Sequence, residues 1–568
     1  MNKNIVKSKE NRRKIYISLL VTVICLIGLT YALFTIFLKQ TENNSLATRT
    51  CFSTTLTEAT SKITLDKAYP LTHEKGLETT PFTFKLTNNC DKPVKVYVTI
   101  DSTYRTSTSS SYLSDSYIRE NINLKGETTA PSVILTEQTL KEIDNGNKGY
   151  VIKETWLEAN EEKEYDLRLW MDESVTVEQG LNKTWKGSVV VSAVAETKLP
   201  TWDNPEDGTL LAAIKRDNTV TVPTTTPGAE ISTDTEALLA STADDYGTSY
   251  YFRGAVENNY VEYANMCWRI VRVTGDGSIK LVLYNYNGLT STNNTPSSNT
   301  PCNVAGNGQS YARYEGNTFL SAFNTGYNDN AYVGFMFGAA SASSYAEAHA
   351  NTNASTILTN LNKWYSNVLS KQSGFSDTQL SDTIWCNDKS VVTDPTFNPG
   401  RWTLGTNYGY AKNGNYYSAT KRLVYESLWS AGGTGPSLIC PNDNNGGKLS
   451  KFTVSDTEYG NGSLSGYAKV GLLTADEIAY AGGTDASPSG TYYLRKNTLI
   501  MSWYTISPYS FDGNKASTYI VAFNNVSALD GGTGTNASSA IRPALSLTPN
   551  TKITSGEGSA TNPYKIAA

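Results

Sequence analysis

The sequence predicts a multidomain chain: an N-terminal transmembrane helix, an all-β sandwich, then an α+β domain. Three observations predict it. Ile15 to Leu38 is an apolar run without one charged side chain, short stretches of alternating apolar and polar residues recur between Phe82 and Ala193, and beyond Tyr246 alternating runs are followed by an apolar stripe at helical spacing. At 568 residues, and about 150 residues per domain, two to four domains are expected.

The apolar run exceeds the roughly 20 residues that cross a bilayer's hydrocarbon core. Lys3, Lys7, Lys9, Arg12, Arg13 and Lys14 precede it and only Lys39 follows. Basic residues beside a spanning helix stay inside, so residues 1–14 read as a cytoplasmic tail, 15–38 as the anchor, and everything after Lys39 as extracellular. This gives a single-pass protein of the cell membrane, with the membrane itself as a partner through Ile15 to Leu38. A cleaved secretory signal is the competing reading. Against it, the run is longer than the ~7 to 15 apolar residues of a usual signal, and no A-x-A type site follows. Either segment exports the chain.

Composition favours β-structure. Hydrophobic residues make up 39% and charged residues only 18%, while Tyr (36) and Gly (43) are abundant beside Asn, Ser and Thr, a mixture suited to strands and turns. The net charge of -5 contains the basic tail, so the remainder is near -10. Such a surface repels nucleic acid, which is excluded as a partner.

Cys25 lies in the apolar run, and six cysteines lie beyond it, where disulfides are permitted. Cys51 with Cys90 in the first region, and Cys267 with Cys302 and Cys386 with Cys440 in the second, are the favoured pairs; free buried thiols are the alternative. There is no C-x-x-C, and His73 and His349 are the only histidines, so no zinc site of ordinary spacing and no metal or other cofactor is expected.

In the first exported region, 46–197, Phe82, Phe84 and Leu86 alternate with Thr83 and Lys85, Asn88 to Asp91 supply turn residues, and Val94, Val96, Val98 and Ile100 alternate again. This is a hairpin. Tyr165, Leu167 and Leu169 alternate similarly, and Gly187 opens a last apolar run. Strands with one apolar face must stack on a second sheet, giving a β-sandwich stalk. Gly28-Leu29-Thr30-Tyr31-Ala32-Leu33-Phe34 and the pattern Trp156 to Asn160 with Tyr165 to Asp172 resemble the signal region and late strands of TasA and camelysin-like bacterial matrix proteins. The resemblance implies cleavage of the leader and departure from the membrane.

Residues 198–245 run through Pro200, Pro205, Pro223 and Pro227 with three consecutive threonines, and read as a semi-rigid linker with one short helix around Leu210, Leu211 and Ile214. In the second region, 246–568, Asp276-Gly277 between alternating runs marks a hairpin. Ser355 precedes the stripe Ile357, Leu361, Trp364, Tyr365 and Val368, a core-facing helix. Thr474 and Glu477 make a capping box, with Gly482-Gly483 as the stop. Asp476 and Glu477 suit the first turn of that helix without any catalytic role.

Asp244 to Gly254, Cys267 to Arg272, Trp385 to Ser390, Val470 to Glu477, Ser507-Pro508 and Ile541 to Leu545 look like stretches of uncharacterised bacterial surface proteins. Their C-terminal domain is similar to the formylglycine-generating-enzyme-like branch of the C-type-lectin-like fold. The resemblance implies two helices, a small twisted sheet and long loops that carry recognition. Tyr504, Tyr509, Phe511, Tyr519, Asn524, Asn525, Asp530 and Asn536, interleaved with Gly, are the candidate ligand-binding loop, since aromatic and amide groups on loops supply stacking and adaptable hydrogen bonds. Arg542 is expected to be buried and paired to a carboxylate.

Formylglycine-generating enzymes use a late cysteine pair that binds copper, and no cysteine follows Cys440. A hydrolytic triad needs a base, and His349 is the one histidine of the region, with no G-x-S-x-G. Asn387-Asp388, Asp443 to Asn445 and Asp456 are oxygen-rich without EF-hand spacing. The expected function is therefore non-catalytic binding of an extracellular glycan or protein by a membrane-anchored bacterial surface protein, in adhesion or recognition. The alternatives are a secreted matrix subunit released by cleavage near Ala32, and an enzyme of the formylglycine-generating type or a hydrolase.

Overall fold

A computed structural model describes residues 35–39, 52–56, 63–65 and 68–567, apart from 91–92, 102–111, 136–139, 145–146, 181, 195–198, 229–235, 305, 307, 343, 395–396, 398–414, 425–432, 442–450, 453–468, 485–491 and 524–528. The chain divides into two units, Met1–Lys198 and Leu199–Ala568.

The first unit is a sandwich of two sheets. One runs in the order Thr35–Lys39, Trp185–Val194, Val94–Asp101, Asn147–Leu157, Leu140–Asp144, with Ile63–Leu65 also on Trp185–Val194. The other runs Phe52–Leu56, Phe82–Asn88, Glu162–Asp172, Ile118–Leu124, Val133–Ile134, with Pro70–Leu71 added in parallel to Glu162–Asp172. Period-two alternation is visible in burial: along Phe82–Asn88 every second side chain is covered. Phe84 and Leu86 from one sheet meet Val96, Val98, Ile100 and Val191 from the other in one apolar core. Trp185 closes an end of it, its indole N–H donating to Asp115 Oδ1 at 2.8 Å, while the Tyr150 hydroxyl donates to Asp115 Oδ2 at 2.9 Å.

The transmembrane helix of the expected fold class is overturned. Its last four residues, Thr35 to Leu38, form with Lys39 a strand antiparallel to Trp185–Val194, Thr35 opposite Val194 and Lys39 opposite Val190. Ile15 to Phe34 lie outside the described residues. Among the described residues no helix is long and apolar enough to cross a membrane. Thr35, Ile36 and Phe37 are β-branched or aromatic, residue types that favour strands, and the segment pairs with its neighbour at the end of the sheet's strand order.

The α+β character of the second body is overturned as well, because it is mostly β-sheet. Its larger sheet has eight strands, Ala237–Asp244, Gly247–Gly254, Met266–Val273, Tyr260–Tyr263, Tyr564–Ile566 and Ile553–Ser555 in order, with Ile279–Asn285 bridging Met266–Val273 to Ala544–Leu547. The other large sheet runs Leu320–Ser321, Ser539–Ala540, Trp503–Phe511, Ala516–Val521, Leu529–Gly534, with Asn415–Tyr416 on Trp503–Phe511. The helices are short: the longest described, Thr356–Asn367, spans 12 residues. The apolar stripe read from the sequence is real and faces the core, but it supplies only three turns between sheets built from the Tyr-, Thr- and Ser-rich remainder.

Several local readings hold. Asp276-Gly277 turns the hairpin, with Gly277 at φ 87 and Thr274 N–H bonded to Ser278 C=O at 2.8 Å. Ser355 caps Thr356–Asn367 by accepting from Leu358 N–H. Thr474 and Glu477 form the capping box of Ala475–Ala481, which ends at Gly482 in the left-handed region. Cys267 is bonded to Cys302 and Cys386 to Cys440. Cys51 lies outside the described residues, so the Cys51 with Cys90 pairing does too.

Residues 198–245, expected as a linker, belong to the second unit from Leu199 on. Leu210–Asp217 is a helix whose Leu210, Leu211 and Ile214 are buried in the unit's core, and Ala237–Asp244 is a strand paired residue for residue with Gly247–Gly254. Proline frequency signalled a connector, but three aliphatic side chains at i, i+1 and i+4 were enough to dock it.

Candidate functional site

The residues expected to form a binding loop do not share one. Tyr504, Tyr509 and Phe511 lie in the strand Trp503–Phe511, Tyr519 in Ala516–Val521 and Asp530 in Leu529–Gly534. The four aromatic side chains are buried. Tyr509 meets Tyr519 and Tyr416 edge-on, with ring centroids 5.1 and 5.9 Å apart, and the Tyr504 hydroxyl donates to Ala537 C=O at 2.7 Å. These are core contacts. Asp530 Oδ1 accepts from Gly532 N–H at 2.9 Å, Asn536 is exposed in the following turn, and Asn524 and Asn525 lie outside the described residues. Arg542 is buried as expected, but its partners are carbonyls: Nε donates to Leu283 C=O at 2.9 Å and Nη1 to Leu494 C=O. Its guanidinium lies 4.9 Å from the Trp503 ring centre, and burial brings its pKa down to about 10.

What the structure does bring together is a lattice of buried charges beside the Cys386–Cys440 disulfide. Glu477, at the first turn of Ala475–Ala481, accepts through Oε1 from Arg272 Nε at 2.9 Å and Lys280 Nζ at 2.8 Å, while Oε2 accepts from Thr474 N–H. Arg272 Nη1 also donates to Asp244 Oδ2 at 2.6 Å. One residue earlier on the helix, Asp476 binds Arg422 through both oxygens at 2.7 and 2.9 Å, and Arg422 Nη1 reaches Asp388 Oδ2 at 2.8 Å. Asp245 accepts from Lys451 Nζ at 3.0 Å and from Cys440 N–H at 2.9 Å. The two strands Met266–Val273 and Ile279–Asn285 present Arg272 and Lys280 side by side, because the Asp-Gly turn pairs them across the hairpin.

Electrostatics follow from the pairing. Burial alone would push the Glu477 carboxyl up, but Lys280 and Arg272 beside it bring it down to about 2. Burial pulls the Lys280 ammonium down, only partly offset by Glu477. For Arg422, Asp476 and Asp388 outweigh burial and raise it. The void enclosed by Asp244, Arg272, Lys280, Asp388, Asp476 and Glu477 is about 20 Å3, room for a single water rather than a substrate. The arrangement fastens a helix to a sheet; its carboxylates are saturated by cations.

The other chemistry-bearing residues fall elsewhere. The Cys386 thiol is consumed by its disulfide. His349 is fully buried, with both ring nitrogens lacking a hydrogen-bond partner among the described residues. Burial, and then the Lys389 charge, hold it well below the usual imidazole range. Among the described residues no group of three or more His, Cys, Asp or Glu is placed to hold a metal. Of the oxygen-rich turns, Asp388 is committed to Arg422, Asn387 bonds Phe335 N–H and Ile506 C=O, and Asp443 to Asn445 and Asp456 lie outside the described residues.

No family model and no curated protein matches the chain. Arg422, Lys280 and Lys451 were not singled out from the sequence, yet a signal was there. Asp244, Asp245, Arg272, Cys386, Asp388, Thr474, Asp476, Glu477 and Ser507, which line the lattice, all belong to the stretches quoted for the resemblance to bacterial surface proteins. Five of the six stretches meet at this cluster, and Ile541 to Leu545 contributes no residue to its lining.

Proposed function

We propose that the protein is an exported structural subunit of a bacterial surface or matrix, freed from its leader by cleavage near Ala32. The single observation that carries this is the strand Thr35–Lys39 in the sheet of the first unit. A segment committed to ladder hydrogen bonds with Trp185–Val194 is not available to a membrane helix ending at Leu38, whereas a new amino terminus at Leu33 leaves the strand intact. Disulfides Cys267–Cys302 and Cys386–Cys440 fit an oxidising compartment. Amino-terminal sequencing of the protein from culture supernatant and from membranes tests it. A terminus between Ala32 and Thr35 in the supernatant is expected; an intact Met1 to Leu38 confined to the membrane fraction would end the proposal.

A second reading, ligand recognition by the second unit, is favoured by Leu499, Ile500 and Phe523, three exposed large apolar side chains, of which Phe523 is tied to the segment after Ile500 by its backbone N–H donating to the Ser502 hydroxyl. Exposed apolar clusters of this kind mark contact surfaces. Binding of the secreted protein to a glycan or host-protein array, lost in a Leu499→Ser/Phe523→Ser variant, is the expected result; an array without signal removes this reading.

A further inference from the structure

We propose that Lys389 and Asn351 are joined by an intramolecular amide bond, formed by the chain itself after folding. Lys389 Nζ lies 2.8 Å from Asn351 Oδ1, and both side chains are fully buried. A nitrogen at hydrogen-bond distance from the amide oxygen is within about 4 Å of the amide carbon, close to an attack position. The Lys389 ammonium has to give up a proton before its Nζ can attack, a loss that burial of an amine favours in general.

The surroundings hold this pair in register. Asn351 sits in the left-handed region at φ 54, a conformation that Asn tolerates and that aims its short side chain back into the unit. The Tyr345 hydroxyl donates to the Lys389 carbonyl, so the backbone of one reacting residue is tied to the helix Tyr345–Ala348 that leads into the other. On the far side, Asp388 is anchored by Arg422 and Cys386 by Cys440. Neither reacting side chain can drift far.

His349 completes the arrangement. It is two residues from Asn351, its ring centre lies 4.2 Å from that of Tyr345 with the two planes tilted by 58°, and its two nitrogens have no hydrogen-bond partner among the described residues. Burial and the neighbouring Lys389 keep the ring neutral, so one nitrogen can accept a proton while the other already carries one. The step balances without any co-reactant. The Nζ lone pair attacks Cγ of Asn351 and forms the Nζ–Cγ bond, the proton leaving Nζ passes through the imidazole to Nδ2, the Cγ–Nδ2 bond breaks, and ammonia departs. Nothing is oxidised or reduced.

The test is the intact mass of the purified, disulfide-reduced wild-type chain, compared with the mass calculated from its determined amino terminus. A deficit of one ammonia is expected, together with a branched tryptic peptide joining Lys389 to Asn351; Lys389→Ala and Asn351→Ala should each restore the full mass. An ammonia deficit mapped to any other residue, or a wild-type chain at full mass, would overturn the cross-link, and neither outcome depends on a variant folding. For His349→Gln a majority of uncross-linked chains is expected. Complete cross-linking in that variant would remove the histidine from the proton path.

Discussion

At the scale of single residues, Glu477 and Glu120 respond to pH in opposite directions. Glu477 is brought from 4.5 to about 2 in the folded chain, so the stability it contributes is fully present above its unfolded pKa and is lost as pH falls through the folded value. Glu477→Gln should strand Arg272 and Lys280 with a weaker partner and cost about 3 to 5 kcal/mol in urea unfolding at pH 7. Glu120, buried in the first unit with no hydrogen-bond partner for Oε2 among the described residues, is raised by burial from 4.5 to about 8, with Lys153 offsetting only part. Its folded form keeps a proton that the unfolded chain loses, so stability falls as pH climbs from its unfolded pKa toward the folded one. Glu120→Gln should abolish that slope and raise the melting temperature at pH 8 more than at pH 5. Neither role was legible in the sequence. Asp476 and Glu477 read correctly as first-turn carboxylates, but their cations come from two strands and the short helix Ser418–Leu423 far away in sequence, and no local pattern announces such a partner.

At the scale of elements, legibility followed periodicity. Alternation exposed the strands of the first unit because each has one wet face. It failed along Trp503–Phe511, where every side chain is buried, so Tyr504, Tyr509 and Phe511 read as a decorated loop when they are the filling between layers. Caps were readable because they are local. Thr474→Ala should therefore cost about 1 kcal/mol of second-unit stability, measured by denaturant midpoint. The amino-terminal strand was misread for a different reason: apolar, β-branched and aromatic residues satisfy the requirements of a membrane helix and of a sheet edge alike. Deleting residues 33–39 should leave one side of the stretch Val190 to Val194 unpaired and speed hydrogen exchange there at least tenfold, with exchange in the second unit unchanged.

At the scale of the whole molecule, both described disulfides lie in the second unit, and the Cys386–Cys440 bridge closes a separation of 54 residues. Loop-closure entropy puts its worth at about 4 kcal/mol. A Cys386→Ser/Cys440→Ser chain should show the second unit's thermal transition shifted downward by several degrees while that of the first unit stays in place. Those pairings were within reach of the sequence, because two cysteines fall early and four late. The prolines beyond residue 198 read as a tether, whereas Leu210–Asp217 and Ala237–Asp244 are a helix and a strand of the second unit.

The ionic lattice around Arg272, Arg422 and Glu477 has a consequence for the habitats this chain can tolerate. Mobile electrolyte weakens attractions between charges it can surround, and of these groups Arg272 and Glu477 are buried while Arg422 keeps only 14% of its side chain exposed. Concentrated brine should leave them as cohesive as fresh water does, so the urea midpoint of the second unit is expected to hold steady from dilute buffer to about 1 M sodium chloride.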